Sequence, residues 1–207
     1  MRVFVYVDGF NLYYRALKGT PYRWLNLETL MGLILQPPQT LEKIRYFTAR
    51  VSARAGDPDA PRRQQLYLNA LSTLPCVEIH YGSFLSKKKW RPLASDPTTF
   101  VEILDSEEKG SDVNLAVHIV NDAWANRFDV ALVLSQDTDL KEPLRIVTQE
   151  LRKRVGLIWL DGRLADTRMA AVSTFVRNIR PASLRVSQFP DPILRDPDPP
   201  IVKPLTW

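Results

Sequence analysis

Hydrophobic and polar positions along this chain fall into short blocks of two kinds. Val3–Val7 (VFVYV), Ile44–Val51 (IRYFTARV), Val77–Tyr81, Val130–Leu134 (VALVL) and Val155–Leu160 are runs of β-branched and aromatic residues. Runs of this length predict strands with both faces covered, as in parallel sheets. Between them the spacing turns helical: a segment from Asn11, then Leu25–Leu35 (stopped by Pro37-Pro38), Arg62–Leu74, Asp112–Ala125 and Leu140–Leu151. A further short helix is expected near Ala165–Phe175, after Val155–Leu160 as the last core strand. Strands alternating with helices predict an α/β fold, a mostly parallel sheet with helices on both sides. Residues 82–110 interrupt the alternation; they read as an irregular basic insertion with a hairpin that includes Phe100–Leu104. After Pro181 the chain becomes Pro-rich, which predicts an extended tail that lies on the surface or projects from it. The expected organisation is one domain over residues 1–180 and a tail over 181–207.

The polar residues that follow the strands hold the candidate chemistry. Ligands of open α/β sheets collect at the carboxyl ends of the strands. Asp8 follows the first strand, and Asp137 follows VALVL after Ser135-Gln136. An acid in that place also serves as a turn former or helix cap. Asp137 and Asp139 stand two residues apart, so an extended segment would aim both at one ion. Alternatively Asp139 caps the next helix, with Glu142 completing a capping box. On a helical wheel Asp112 falls in the apolar arc of Ala116, Ile119, Val120 and Ala123, where a carboxylate is costly unless paired or metal-bound. Capping of that helix together with Ser111 is the competing role. His118 and Asp122 fall on the polar arc with Asn114 and Asn121 and read as solvated. Acids converging from Asp8, Asp112, Asp137 and Asp139 would repel one another unless a divalent cation offset their charge.

Composition narrows the choice of cation. The 207 residues include one cysteine, Cys76, and two histidines, His80 and His118. An internal disulfide is impossible and Cys/His zinc spacings are absent, so oxygen ligands and Mg²⁺ or Mn²⁺ are expected. A formal charge of +5 favours a polyanionic partner. No apolar stretch approaches the ~20 residues of a membrane span, and the start MRVFVYVDGFN is too short and too interrupted for a signal peptide. A cytoplasmic protein is expected. Phosphate-binding loops of the G-x-G-x-x-G or G-x-x-x-x-G-K type are absent.

DGFNLYY at 8–14, EKGSDVNLA at 108–116 and LVLSQDTDLKEPLRIV at 132–147 resemble the NYN domain family, the LabA-like branch of the PIN-like nucleases. The resemblance runs from Met1 to about Leu160. It implies a Rossmann-like (PIN-like) three-layer α/β/α sandwich and Mg²⁺- or Mn²⁺-dependent cleavage of RNA. It also implies an acidic metal site at Asp8, Asp112, Asp137 and Asp139, with Asn11 orienting a carboxylate or a water. This chain departs from the family at Gln136, where Gly is common, and at His118, where another Asp is frequent.

For RNA contact the sequence offers Lys87, Lys88, Lys89, Trp90 and Arg91, a cation run with a ring able to stack on a base. Arg50, Arg54, Arg62 and Arg63 flank the loop after the second strand. Charge runs of this kind are also common on solvated faces. Ser135 and Thr138 can add hydroxyl contacts to water or phosphate. Apolar residues of the tail, from Ile193 to Trp207, can dock on the body or on a second subunit, a homodimer being the second case. Two other functions stay open: a non-catalytic RNA-binding module of the same fold, and a haloacid dehalogenase-type phosphatase suggested by Asp137-x-Asp139.

Overall fold

A computed structural model describes the backbone of residues 1–207 and every side chain except those of Ser86 and Ser106. The chain starts in β1 (Arg2–Asp8), and every residue of that strand after Arg2 is buried. Its alternation supplies two cores at once. Val3, Val5 and Val7 face one side, while Phe4 and Tyr6 face the other. A short helix α1 (Gly9–Leu12) runs into a π-helical turn over Tyr13–Leu17, followed by α2 (Leu27–Ile34), β2 (Thr40–Thr48), α3 (Ala60–Leu71) and β3 (Val77–Tyr81). Next come β4 (Ser83–Leu93), β5 (Asp96–Lys109), α4 (Ser111–Trp124) and β6 (Val130–Leu134). The chain ends with α5 (Lys141–Arg145), β7 (Arg154–Trp159), α6 (Thr167–Ala171), β8 (Phe175–Asn178) and α7 (Pro181–Val186).

Six strands form one parallel sheet in the order β3-β2-β1-β6-β7-β8. The chain moves outward from β1 to β2 and β3, and outward from β6 to β7 and β8 on the other side. The seam between β1 and β6 is therefore the topological switch point, where the loops leave the two strand ends in opposite directions and open a crevice. The mixed α/β architecture with a covered parallel sheet is as the sequence leads one to expect. No helix among the described residues is long and apolar enough to cross a membrane.

Three local expectations need correction. Residues 82–110 are regular, not irregular: β4 and β5 pair antiparallel along their length. The segment Leu140–Leu151 is not one helix, since a 3₁₀ turn over Thr138–Leu140, α5 and a π turn over Ile146–Glu150 follow one another. Its apolar spacing survives such changes of pitch and does not report them. Val155–Leu160 is not the last strand, because β8 adds to the edge; its exposed Val176, Arg177 and Asn178 hide it from a search for apolar runs. Of the two placements expected for the Pro-rich tail, the structure shows the one against the body. Phe189 N donates to Trp24 O, Trp24 Nε1 donates to Pro190 O, and Ile193 pairs with Ile201. The Trp207 ring packs 5.9 Å from Trp24 and 5.5 Å from Tyr67.

Candidate active site

Asp8 closes β1 and caps α1, and the residue is 3% exposed. Oδ1 accepts from Asn11 N at 2.9 Å, while Oδ2 accepts from Asn11 Nδ2 at 2.6 Å and from Ser135 Oγ at 3.0 Å. Asn11 Oδ1 in turn accepts from Gln136 N at 3.3 Å, so one asparagine bridges the ends of both central strands. Gly9 is required for this turn: a Cβ there would stand 2.7 Å from the Tyr46 hydroxyl and 2.9 Å from Phe47 O. Burial raises the Asp8 pKa; the hydrogen bonds from Asn11 and Ser135 oppose the rise, and the charge of Asp137 adds to it.

Asp137 is half-buried and lies just past β6, with its N–H donating to Ser135 Oγ at 3.1 Å. Its Oδ1 accepts from Asp139 N at 2.9 Å, which makes Asp137 the cap of the 3₁₀ turn. The capping role assigned to Asp139 thus belongs to Asp137, and Glu142 pairs with Arg145 instead of closing a capping box. The extended geometry expected for 137–139 is replaced by that turn, and Asp139 points into solvent as an exposed side chain.

Asp112 lies in the first turn of α4 and is partly buried. Gly110, in a left-handed conformation at φ 96°, is the cap residue. The free N–H groups are served by Glu108, whose Oε1 accepts from Ser111 N at 3.0 Å and whose Oε2 accepts from Ser111 Oγ at 2.8 Å. Asp112 has no hydrogen-bond partner among the described residues, so it is not consumed as a cap. Burial, followed by the charges of Asp8, Asp137, Glu108 and Asp139, pushes its pKa up to about 6. Those acids share one electrostatic environment. Glu108 is the member that sequence reasoning missed; its signal was its position just before the Gly110 turn that opens α4.

The donor set, all carboxylate oxygen, suits a hard divalent cation, and the mutual repulsion at Asp112 is what such an ion would relieve. As the side chains lie, however, no three acidic, histidine or cysteine residues among those described stand close enough to enclose an ion.

The polar arc assigned to α4 is a correction. Asp122 is fully buried, and it accepts from Arg45 Nε at 2.7 Å, Arg127 Nη1 at 2.8 Å and the Tyr6 hydroxyl at 2.8 Å. His118 is half-buried, its ring 4.2 Å from His80 and 5.7 Å from Phe47. A helical wheel sorts residues by side-chain type, so it cannot anticipate an arginine on β2 that makes the core hospitable to a carboxylate.

The hairpin stands over the site, with Phe84 against Phe10 at 5.7 Å. Its five basic residues are matched by five acidic ones between Ser83 and Lys109. Lys88 pairs with Glu102 at 2.9 Å, and Lys89 with Asp105 and Glu107. Lys87, Trp90 and Arg91 are exposed, Trp90 at 65%. Arg50 lies over the Tyr81 ring at 5.0 Å and Arg63 pairs with Asp57 at 2.5 Å, whereas Arg54 and Arg62 are exposed.

Against known proteins, a family described as the NYN domain matches residues 2–178. A curated relative, 6-hydroxy-3-succinoylpyridine 3-monooxygenase HspA of Pseudomonas putida (strain DSM 28022 / S16), is 29% identical over an alignment spanning 240 positions, gaps included, that covers all of this chain and 75% of that protein. A crystal structure of a protein of unknown function from Vibrio parahaemolyticus RIMD 2210633 has a TM-score of 0.58 at 15% identity, over 87% of this chain and 93% of that one. That likeness concerns the fold alone.

Proposed function

Because this chain belongs to the NYN domain family, we propose that it is a divalent-metal-dependent ribonuclease centred on the cleft of Asp8, Asp112 and Asp137. NYN domains are generally nucleases that act on RNA, which supports strand cleavage over the dehalogenase-type phosphatase. The observation that carries the reading is Asp8: a buried carboxylate at the switch point, held by neutral donors alone and sharing its cleft with further carboxylates.

In this reading Asp8, Asp112 and Asp137 hold Mg²⁺ or Mn²⁺, and Asp139 contributes directly or through water. Such an ion supplies charge to the phosphate as negative charge develops and acidifies an attacking water. Asn11 and Ser135 keep the Asp8 carboxylate in one orientation and tie it to the loop that presents Asp137. Lys87, Trp90, Arg91, Arg54 and Arg62 are the side chains free to meet the strand. Lys88, Lys89 and Arg63 would first have to leave acidic partners. Arg50 is engaged with Tyr81.

The test is cleavage of labelled single-stranded and structured RNA with Mn²⁺. Wild type should cut, and Asp8→Asn should be slower by about a hundredfold or more. Identical products from both proteins would overturn the reading, and salt-sensitive binding with no cleavage under any metal would leave an RNA-binding module.

A second reading is favoured by the aromatic cavity that opens on Asp8 and by the relative named as a pyridine monooxygenase. Inserting one oxygen atom into a ring consumes a two-electron reductant and returns the other atom as water. Oxygen uptake that depends on both a heteroaromatic substrate and a reduced nicotinamide would select this reading over strand cleavage.

A further inference from the structure

The acidic cleft opens into a cavity of about 470 Å³ whose lining is of three chemical kinds. Asp8, Glu108, Asp112 and Asp57 are acidic. Tyr13 from the first helical segment, Tyr46 from β2, Tyr67 from α3, Phe84 from the hairpin and Trp207 from the tail are aromatic. Lys18, Arg23, Arg54 and Arg63 are basic. Arg63 is already neutralised by Asp57, but Arg23 and Arg54 have no carboxylate partner among the described residues. This volume falls within the range of small-ligand sites, which pair apolar walls with a few placed polar groups.

Tyr46 supplies a second, independent observation. The residue is 5% exposed, lines the cavity, and its hydroxyl has no hydrogen-bond partner among the described residues. The hydroxyl therefore opens on the cavity and is free to donate to a ligand there. The absence of a side chain at Gly9 leaves the space that this hydroxyl occupies.

We propose that this cavity is a binding site for a flat heteroaromatic ring carrying an anionic arm. The ring stacks among the tyrosines and accepts a hydrogen bond from Tyr46 through a ring nitrogen or an oxo group. The arm pairs with Arg54 and Arg23, since Asp8, Glu108 and Asp112 repel a negative charge. Two sources share this chemistry: a nucleotide of a strand, with its base and phosphate, and a free aromatic carboxylate. The site does not depend on the cleavage chemistry, and its test uses none.

Binding is measured by calorimetry on the full chain in EDTA. The probes are 6-hydroxynicotinate and uridine monophosphate (ring with anion), nicotinamide (ring alone), and succinate and inorganic phosphate (anion alone). At least one ring–anion probe should bind about tenfold or more tightly than the ring-only and anion-only probes. Preference for the carboxylate assigns a free small molecule, and preference for the monophosphate assigns a strand nucleotide. Arg54→Met, in an exposed loop, should weaken the anionic probe about tenfold and leave nicotinamide unchanged. Tyr46→Phe should weaken the three ring-containing probes several-fold, with a thermal midpoint close to that of wild type. Equal affinity for all five probes, no saturable binding at millimolar concentrations, or indifference to both substitutions overturns the proposal.

Discussion

Asp8 and Asp122 are the two buried aspartates of this protein, and the sheet treats them in opposite ways. Asp122 is held by two guanidiniums and a phenol. Burial works to raise its pKa, but the hydrogen bonds from Arg45, Arg127 and Tyr6 outweigh that, and it titrates below the ordinary carboxylate range. Asp8 receives only neutral donors, faces further acids, and titrates above that range. Burial therefore does not mark a functional acid here. What separates the two is whether the fold supplies the opposite charge or leaves it to be supplied from outside.

The strongest way to break this comparison is to remove the paired acid. Asp122→Ala removes the acceptor of Arg45 Nε and Nη2 in a side chain that is 6% exposed, leaving it Glu78 as its only carboxylate, and also leaves the Tyr6 hydroxyl without its acceptor. Unfolding in urea should show a loss of about 3–5 kcal/mol. A change below about 1 kcal/mol would mean that the network is not structural.

The unpaired cleft should respond with the opposite sign. The folded-state pKa of Asp112, at about 6, lies above its unfolded value. Its contribution to stability is therefore fully present below about pH 4 and lost as the pH rises through about 6. Asp112→Asn should raise stability near neutral pH by about 1 kcal/mol, a figure reduced for the solvent that reaches this half-buried group. The gain should vanish near pH 4, and RNA cleavage should be lost. Destabilisation at neutral pH would show that Asp112 is compensated. Thermal melts with and without Mn²⁺ sharpen the point, since an ion that binds the folded cleft raises the midpoint of wild type more than that of the variant.

The smallest effect belongs to the paired side. Burial and mutual repulsion hold the His80 pKa down, and burial and Arg45 do the same for His118. With folded-state values depressed, the unfolded chain takes up protons first as the pH falls below about 6.5, and stability declines through that window. His118→Gln should blunt this decline by about 0.5 kcal/mol between about pH 7 and pH 5, measured in the same urea melts. An unchanged slope would place the proton uptake elsewhere.

Much of this molecule is legible along the chain. The runs around Val5 and Leu132 announce central strands because both faces of each are covered, and the acids after them mark the switch point. Asp112 stands out because a carboxylate amid apolar neighbours is conspicuous. Asp122 is misread by the same wheel, since its neighbours on α4 are polar and its true partners, Arg45 and Tyr6, come from other elements. Glu108 is marked only by its place just before Gly110, and its service to Ser111 depends on how Gly110 turns the chain. The basic run KKKWR looks like an exposed cation surface until the hairpin register sets Lys88 and Lys89 beside acids of β5.

Periodicity and side-chain type, being local properties, determined the elements, the parallel sheet, the strand ends where chemistry collects, and the oxygen character of any metal site. Only the tertiary structure decided which charges are neutralised, which hydroxyls lack partners, and that aromatic residues from five separate segments enclose one cavity beside Asp8. Those outcomes depend on distances between residues far apart in the chain, and electrostatic energy follows distance in space.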